Sequence, residues 1–157
     1  MKILLAVDES ESTEAAVNEV ATRPWPPETL VRVLSVAPRP MMPPPPGPAW
    51  EMVTVVPTPV DQMRTRAADI VQRATATLRT HGVSTETCVR TGHAGAEIVH
   101  AADEWRADLI VVGSRGLTGV KRWLLGSVGQ FVAAHAHCSV EIVHMPPAEV
   151  AQEHRAG

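Results

Sequence analysis

Two short, unbroken apolar runs constrain this chain more than any other feature: KILLAV at 2–7 and ADLIVVG at 107–113. A strand that is apolar on both sides of its pleat has to be covered on both faces, as the central strands of a parallel sheet are. The rest of the sequence alternates around these runs. A helical pattern at 11–22 follows Asp8, Glu9 and Ser10, with Ser10 or Ser12 placed to cap it and Glu9, Glu11 and Glu14 at the positive end of its dipole. Pro24, Pro26 and Pro27 close that helix. TLVRVLSV (29–36) reads as a second strand.

Residues 37–59 hold nine of the fourteen prolines, which excludes a regular helix and favours extended backbone. Such a long excursion in a compact domain points to a functional or mobile loop. Beyond it, Val60, Met63, Ala67, Ile70, Ala74 and Leu78 recur at spacings of three and four, one face of a helix closed by His81-Gly82. VSTETCVR (83–90) alternates as an edge strand would, 94–106 is helical, and Ser127 to His135 is a short helix before a fifth strand at 139–144.

This order predicts an α/β domain: an open five-stranded parallel sheet with helices on both faces, over residues 1–146, followed by a tail at 147–157. At 157 residues one domain is expected, and with aromatics at 3% its core must be aliphatic. A net charge of −3 argues against nucleic-acid binding, which rests on basic surface. No apolar run reaches the roughly 18 residues of a membrane span. MKILLAVDES lacks the pattern of a signal peptide, so a cytoplasmic location is expected, with Cys88 and Cys138 as free buried thiols.

In a sheet of this kind ligands sit beyond the carboxyl ends of the strands, where the strand order reverses. Two such ends carry chemistry: Asp8 after the first run, and VVGSRGLTGVKRWLLGS (111–127) after the second. Gly113 and Gly116 can take positive φ and expose N–H groups in a concave turn, and Gly126-Ser127 opens a helix with Ser127 as its cap. Free N–H groups and the helix dipole there favour a phosphate. No GxxxxGK[ST] occurs, and a GxGxxG would follow the first strand rather than the fourth. Physics alone balances two readings, a phosphate cradle and a tight loop without a ligand. His135, His137 and Cys138 crowd together without the fourth ligand that zinc needs, so no metal centre is expected. Without paired carboxylates or a nucleophile motif, no catalytic residue is assigned and no dedicated enzyme is expected.

The spacing Gly113-x2-Gly116-x9-Gly126-Ser127, followed by Val128, resembles the ATP-binding signature of the universal stress protein family. KILLAVDES, ADLIVVGSRG and AHCSVEIVH extend that resemblance over nearly the whole chain, which departs from the family pattern at Ser139, where a proline is usual. The resemblance implies a Rossmann-like sheet of order 3-2-1-4-5 with ATP between strands one and four, and Mg2+ carried on its phosphates. Asp8 would stand by the ribose or a phosphate-bound metal, and Val36 would meet the adenine. Gly113, Arg115 and Gly116 would wrap ribose and phosphates, and Gly126, Ser127 and Val128 would hold the phosphate tail. It also implies a homodimer through the last strand (Val140 to His144) and a nucleotide-dependent regulatory role in stress response toward an unknown protein partner. The other reading of the same residues is a protein-interaction module with a vestigial pocket, acting through the Pro-rich 37–59 loop.

Overall fold

The computed structural model describes residues 1–39, 59–114 and 125–145. In chain order it contains β1 (Lys2–Ala6), α1 (Glu11–Thr22), β2 (Leu30–Ala37), α2 (Pro59–Thr80), β3 (Ser84–Thr91), α3 (Ala94–Trp105), β4 (Leu109–Gly113), α4 (Ser127–His135) and β5 (Ser139–Val143). The five strands form one sheet of order β3-β2-β1-β4-β5, all neighbours parallel, as the Rossmann-like expectation required. The order in which successive strands are added reverses between β1 and β4, while their direction stays the same.

The pleat explains why the apolar runs are continuous. Ile3 and Leu5 point to one face and Leu4 to the other, and all three are fully buried. Ile3, Leu5, Val31, Val33 and Val111 form one core layer with Val17 and Val20 of α1 and Val71, Ala74 and Leu78 of α2. Leu4, Leu34, Ile110 and Val112 form the other with Ile98, Ala101 and Ala102 of α3 and Val132 of α4. Each large aliphatic side chain so buried contributes on the order of 2 kcal/mol, and removing a face of β1 would leave a helix layer with nothing to cover.

Helix ends follow local chemistry. After α2, Gly82 takes φ 77°, with Val83 N–H donating to Leu78 C=O at 3.1 Å and Gly82 N–H to Arg79 C=O at 3.0 Å. Those are the two bonds of a Schellman stop. The same pair closes α3, from Ala107 to Ala102 at 2.9 Å and from Arg106 to Asp103 at 3.1 Å, but there the left-handed residue is Arg106 at φ 56°. α3 therefore stops at Trp105 rather than 106, and β4 begins at Leu109, two residues later than the run at 107 suggests. At the far end of the sheet, Arg23 grips Glu141 of β5 with two hydrogen bonds of 2.7 Å, which, with Glu19, raises the guanidinium pKa further.

Candidate functional site

The cleft that matters lies at the carboxyl ends of β1, β2 and β4, on the face covered by α3 and α4. Its floor is apolar, made by Ala6, Leu34, Val36, Ile98 and Val112. Val7, Asp8 and Thr13 form the wall where β1 passes into α1. Gly113, Gly126, Val128 and Gly129 form the wall on the β4 and α4 side, and Ala94 stands at the start of α3. Five of the residues singled out from sequence thus come together in one cleft: Asp8, Val36, Gly113, Gly126 and Val128. Ser127 adjoins them in α4, while Arg115 and Gly116, like the basic Lys121 and Arg122, lie outside the described residues.

The ladder between β1 and β2 stops within this cleft. β1 pairs with β2 as far as Ala6 opposite Leu34, and the last bond across runs from Val7 N–H to Leu34 C=O at 2.8 Å. In a parallel strand successive residues turn their N–H and C=O to alternate sides. Leu34 bonds toward β1 and Ala37 toward β3, whose following Gly92 N–H donates to Ala37 C=O at 3.0 Å. Val36 therefore turns both backbone groups to the β1 side, where β1 has ended. Among the described residues this leaves one donor and one acceptor, side by side, above an apolar floor.

Gly113 ends β4 for a reason other than the expected one. Positive φ among the described glycines belongs to Gly82 and Gly92, so Gly113 needs no left-handed backbone. A Cβ placed there would run into Ser12 Oγ and lie 2.8 Å from Ser12 Cβ and 2.9 Å from Ser12 C=O. Glycine lets the first turn of α1 close onto β4. Just beyond, buried Ser114 ties three elements together: its N–H donates to Val143 C=O at 2.8 Å and its C=O accepts from Gly126 N–H at 2.9 Å.

The expected cap at Ser127 also shifts by one residue. Gly126 occupies the N-cap position at φ −62°, ψ 158°, and Ser127 is the first helical residue. Among the described residues no side chain caps α4, and no acidic residue stands in its first turn. The other helices begin differently: Glu11 and Glu14 open α1, Asp61 opens α2, and Glu97 follows the His93 cap of α3, whose Nδ1 accepts from Ala96 N–H at 3.4 Å. An anion would thus meet a free positive helix end at α4 and carboxylates at the rest.

Asp8 is held within a tight local network. Its Oδ1 accepts from Ser10 N–H at 2.9 Å, from Thr13 Oγ1 at 2.7 Å and from the Ser10 hydroxyl, while its own N–H donates to Thr13 Oγ1 at 2.9 Å. Ser10 sits at the N-cap of α1, yet its side chain does not cap the helix, because it is turned to Asp8 instead. Thr13, Leu34 and Ile98 were not apparent as site residues from sequence. Their signals, a hydroxyl five residues after Asp8 in DESEST and apolar positions of ordinary core type, are shared with plain packing.

A larger, more open groove runs between α1 and α2, lined by Asp8, Glu9, Glu14, Asn18, Arg73 and Thr77 among others. Its three carboxylates against one guanidinium make it a poor host for phosphate, and it contains neither the glycines nor the free strand end. Among the described residues no group of three His, Cys, Asp or Glu is placed to hold a metal ion, and no helix is long and apolar enough to cross a membrane.

Comparison with known proteins bears on this site. A model of the Universal stress protein family matches residues 1–144. A universal stress protein of Synechocystis is 38% identical over 84 residues, 54% of this chain and 54% of the relative. One from Methanocaldococcus jannaschii is 33% identical over 101 residues, 64% of this chain and 56% of the relative. The matched segments thus span little more than half the length of these curated relatives. Solved structures share the fold: universal stress protein UspA from Lactobacillus plantarum has a TM-score of 0.67 at 22% identity, covering 91% of this chain and 97% of that one. A universal stress protein from Archaeoglobus fulgidus in complex with dAMP has a TM-score of 0.61 at 23% identity, covering 91% and 97%. A family protein from Arabidopsis thaliana with AMP bound has a TM-score of 0.61 at 21% identity, covering 96% and 99%. The chain belongs to the universal stress protein family.

Proposed function

We propose that this chain binds an adenine nucleotide, ATP in its working state, in the cleft between β1, β2 and β4, and acts as a nucleotide-dependent regulator. The observation that carries this reading is the unpaired backbone of Val36. An N–H and a C=O side by side present the complement of adenine's N1 acceptor and N6 amino donor. The apolar floor under them suits a flat base, and the N-terminus of α4, uncapped and free of acids among the described residues, stands on the far wall for phosphates. The relatives bound to AMP and dAMP support an adenine nucleotide in this fold.

In this reading Val36 holds the base, Asp8 takes a ribose hydroxyl or a phosphate-bound metal, and Gly113, Arg115 and Gly116 surround ribose and phosphates. Gly126, Ser127 and Val128 hold the phosphate tail, with Mg2+ entering on ATP. Asp8 is the one carboxylate lining the cleft among the described residues and has no second metal ligand beside it, so binding rather than rapid turnover is the cleft's work, with slow hydrolysis as a reset. The regulator is cytoplasmic and pairs as a homodimer through the edge at Val140 to His144. The test is calorimetry on protein stripped of nucleotide, with the as-purified protein denatured and its supernatant run on ion exchange. Co-purified adenine nucleotide, or micromolar binding of ATP with Mg2+, is the expected result. No nucleotide and no binding heat would refute the reading.

A further inference from the structure

We infer that Thr13 is a positioning residue that decides how Asp8 meets its ligand, and that it does so by fixing the direction in which the free carboxylate oxygen points. The inference rests on the nucleotide reading above and assigns the ribose, rather than a chelated metal, to Asp8. Thr13 Oγ1 is bonded to Asp8 twice, accepting from its N–H at 2.9 Å and donating to its Oδ1 at 2.7 Å. Ser10 adds its N–H at 2.9 Å and its hydroxyl to the same Oδ1. Three donors on one carboxylate oxygen exhaust its lone pairs. Oδ2 takes no hydrogen bond among the described residues. Asp8 therefore offers a ligand a single oxygen, suited to one hydroxyl donor and unsuited to bidentate capture of a cation.

The Asp side-chain terminal torsion is broad and easily turned. Without Thr13, Oδ1 keeps its two bonds from Ser10 at the N-cap but loses the one from within the first turn of α1, and the free oxygen swings more widely. Thr13 and Asp8 both line the cleft, so the tie and the contact belong to one wall. A purely structural role, joining strand to helix, would alter stability and leave ligand discrimination untouched.

The experiment measures affinity of the full chain for AMP and for its 2′-deoxy and 3′-deoxy forms. Wild type is expected to prefer AMP over one deoxy form by about tenfold or more, the cost of leaving a charged acceptor unpaired. Thr13→Val should lower that ratio at least about threefold, since the two Ser10 donors remain, and Thr13→Ser should restore it. If Thr13→Val does not fold, Ser10→Ala, which removes one donor to the same oxygen, should lower the ratio in its place. A wild-type ratio retained in the folded variant, or no discrimination in a wild type that binds all three ligands, would overturn the inference while sparing the nucleotide reading. A wild type that binds none of them would overturn both.

Discussion

Gly126→Asp separates the phosphate contact from the integrity of the fold. Gly126 sits at φ −62°, ψ 158°, an extended conformation open to any residue, at an N-cap that no side chain fills. Asp is among the best N-cap residues, and exchanging Gly for it should change stability by only a few tenths of a kcal/mol, in the favourable direction. Its carboxylate would take the N–H groups proposed for phosphate and set a negative charge beside them. At 4 Å and an effective dielectric of about 20, one like-charge pair costs about 4 kcal/mol. Allowing for screening by salt, ATP should bind at least about a hundredfold more weakly. Adenosine, with no phosphate, should keep its wild-type affinity. Gly126→Ala, which adds a side chain without charge, should stay within a few-fold for both ligands. Calorimetry with ATP and adenosine, alongside thermal melts, reads all three variants. Unchanged ATP affinity in the Asp variant, or an equal loss for adenosine, would refute the placement of phosphate at α4.

Other consequences follow from the packing. Gly113→Ala should cost about 1–3 kcal/mol by overpacking against Ser12, seen as a lower denaturation midpoint. Ser12→Ala should relieve only part of that, since the Ser12 Cβ and C=O remain within 2.9 Å of the new methyl. Arg106→Gly should stabilise by about 0.5 kcal/mol, because glycine takes the left-handed stop of α3 without steric cost but is freer when unfolded. The Arg90 guanidinium, hydrogen-bonded to Glu104, holds that carboxyl below the usual glutamate range. A depressed carboxyl stabilises the fold above its unfolded pKa, and the contribution fades as pH falls from there through the folded value. Denaturant melts across the acid range should therefore fall less steeply in Glu104→Gln than in wild type.

Much of the fold could be read from residue patterns because the sheet is buried on both faces. The runs at KILLAV and LIVV have no other stable environment, and α2's stripe from Ala67 to Leu78 and its Gly82 stop appear in the structure as periodicity and capping predict. Strand order was a different matter: alternation implies a parallel sheet, while the order 3-2-1-4-5 came through resemblance to a family. Arg106 hid the true end of α3, since nothing in its type announces a left-handed turn.

Five of the residues singled out from sequence meet in one cleft, but the reasons for their identities differ from those expected. Gly113 looked like a residue needing positive φ, but what it needs is room for Ser12, a long-range contact that no local pattern carries. Ser127 looked like a cap because serine caps so often, while the cap position falls to Gly126. The free edge of Val36 depends on where a neighbouring strand stops, and the tie from Thr13 to Asp8 depends on how α1 leaves the sheet. Both are relations between segments, and periodicity describes only one segment at a time. The Pro-rich stretch at 40–58, Arg115, Gly116 and the tail from 146 lie outside the described residues.

The most direct test of the account follows backbone amides by NMR in isotopically labelled protein, stripped of nucleotide, as AMP is added. The account predicts saturable shifts at the Val36 amide and at Ser127, Val128 and Gly129 in the first turn of α4, with the α1–α2 groove around Arg73 and Thr77 unmoved. Shifts confined to that groove, or none at all, would contradict it.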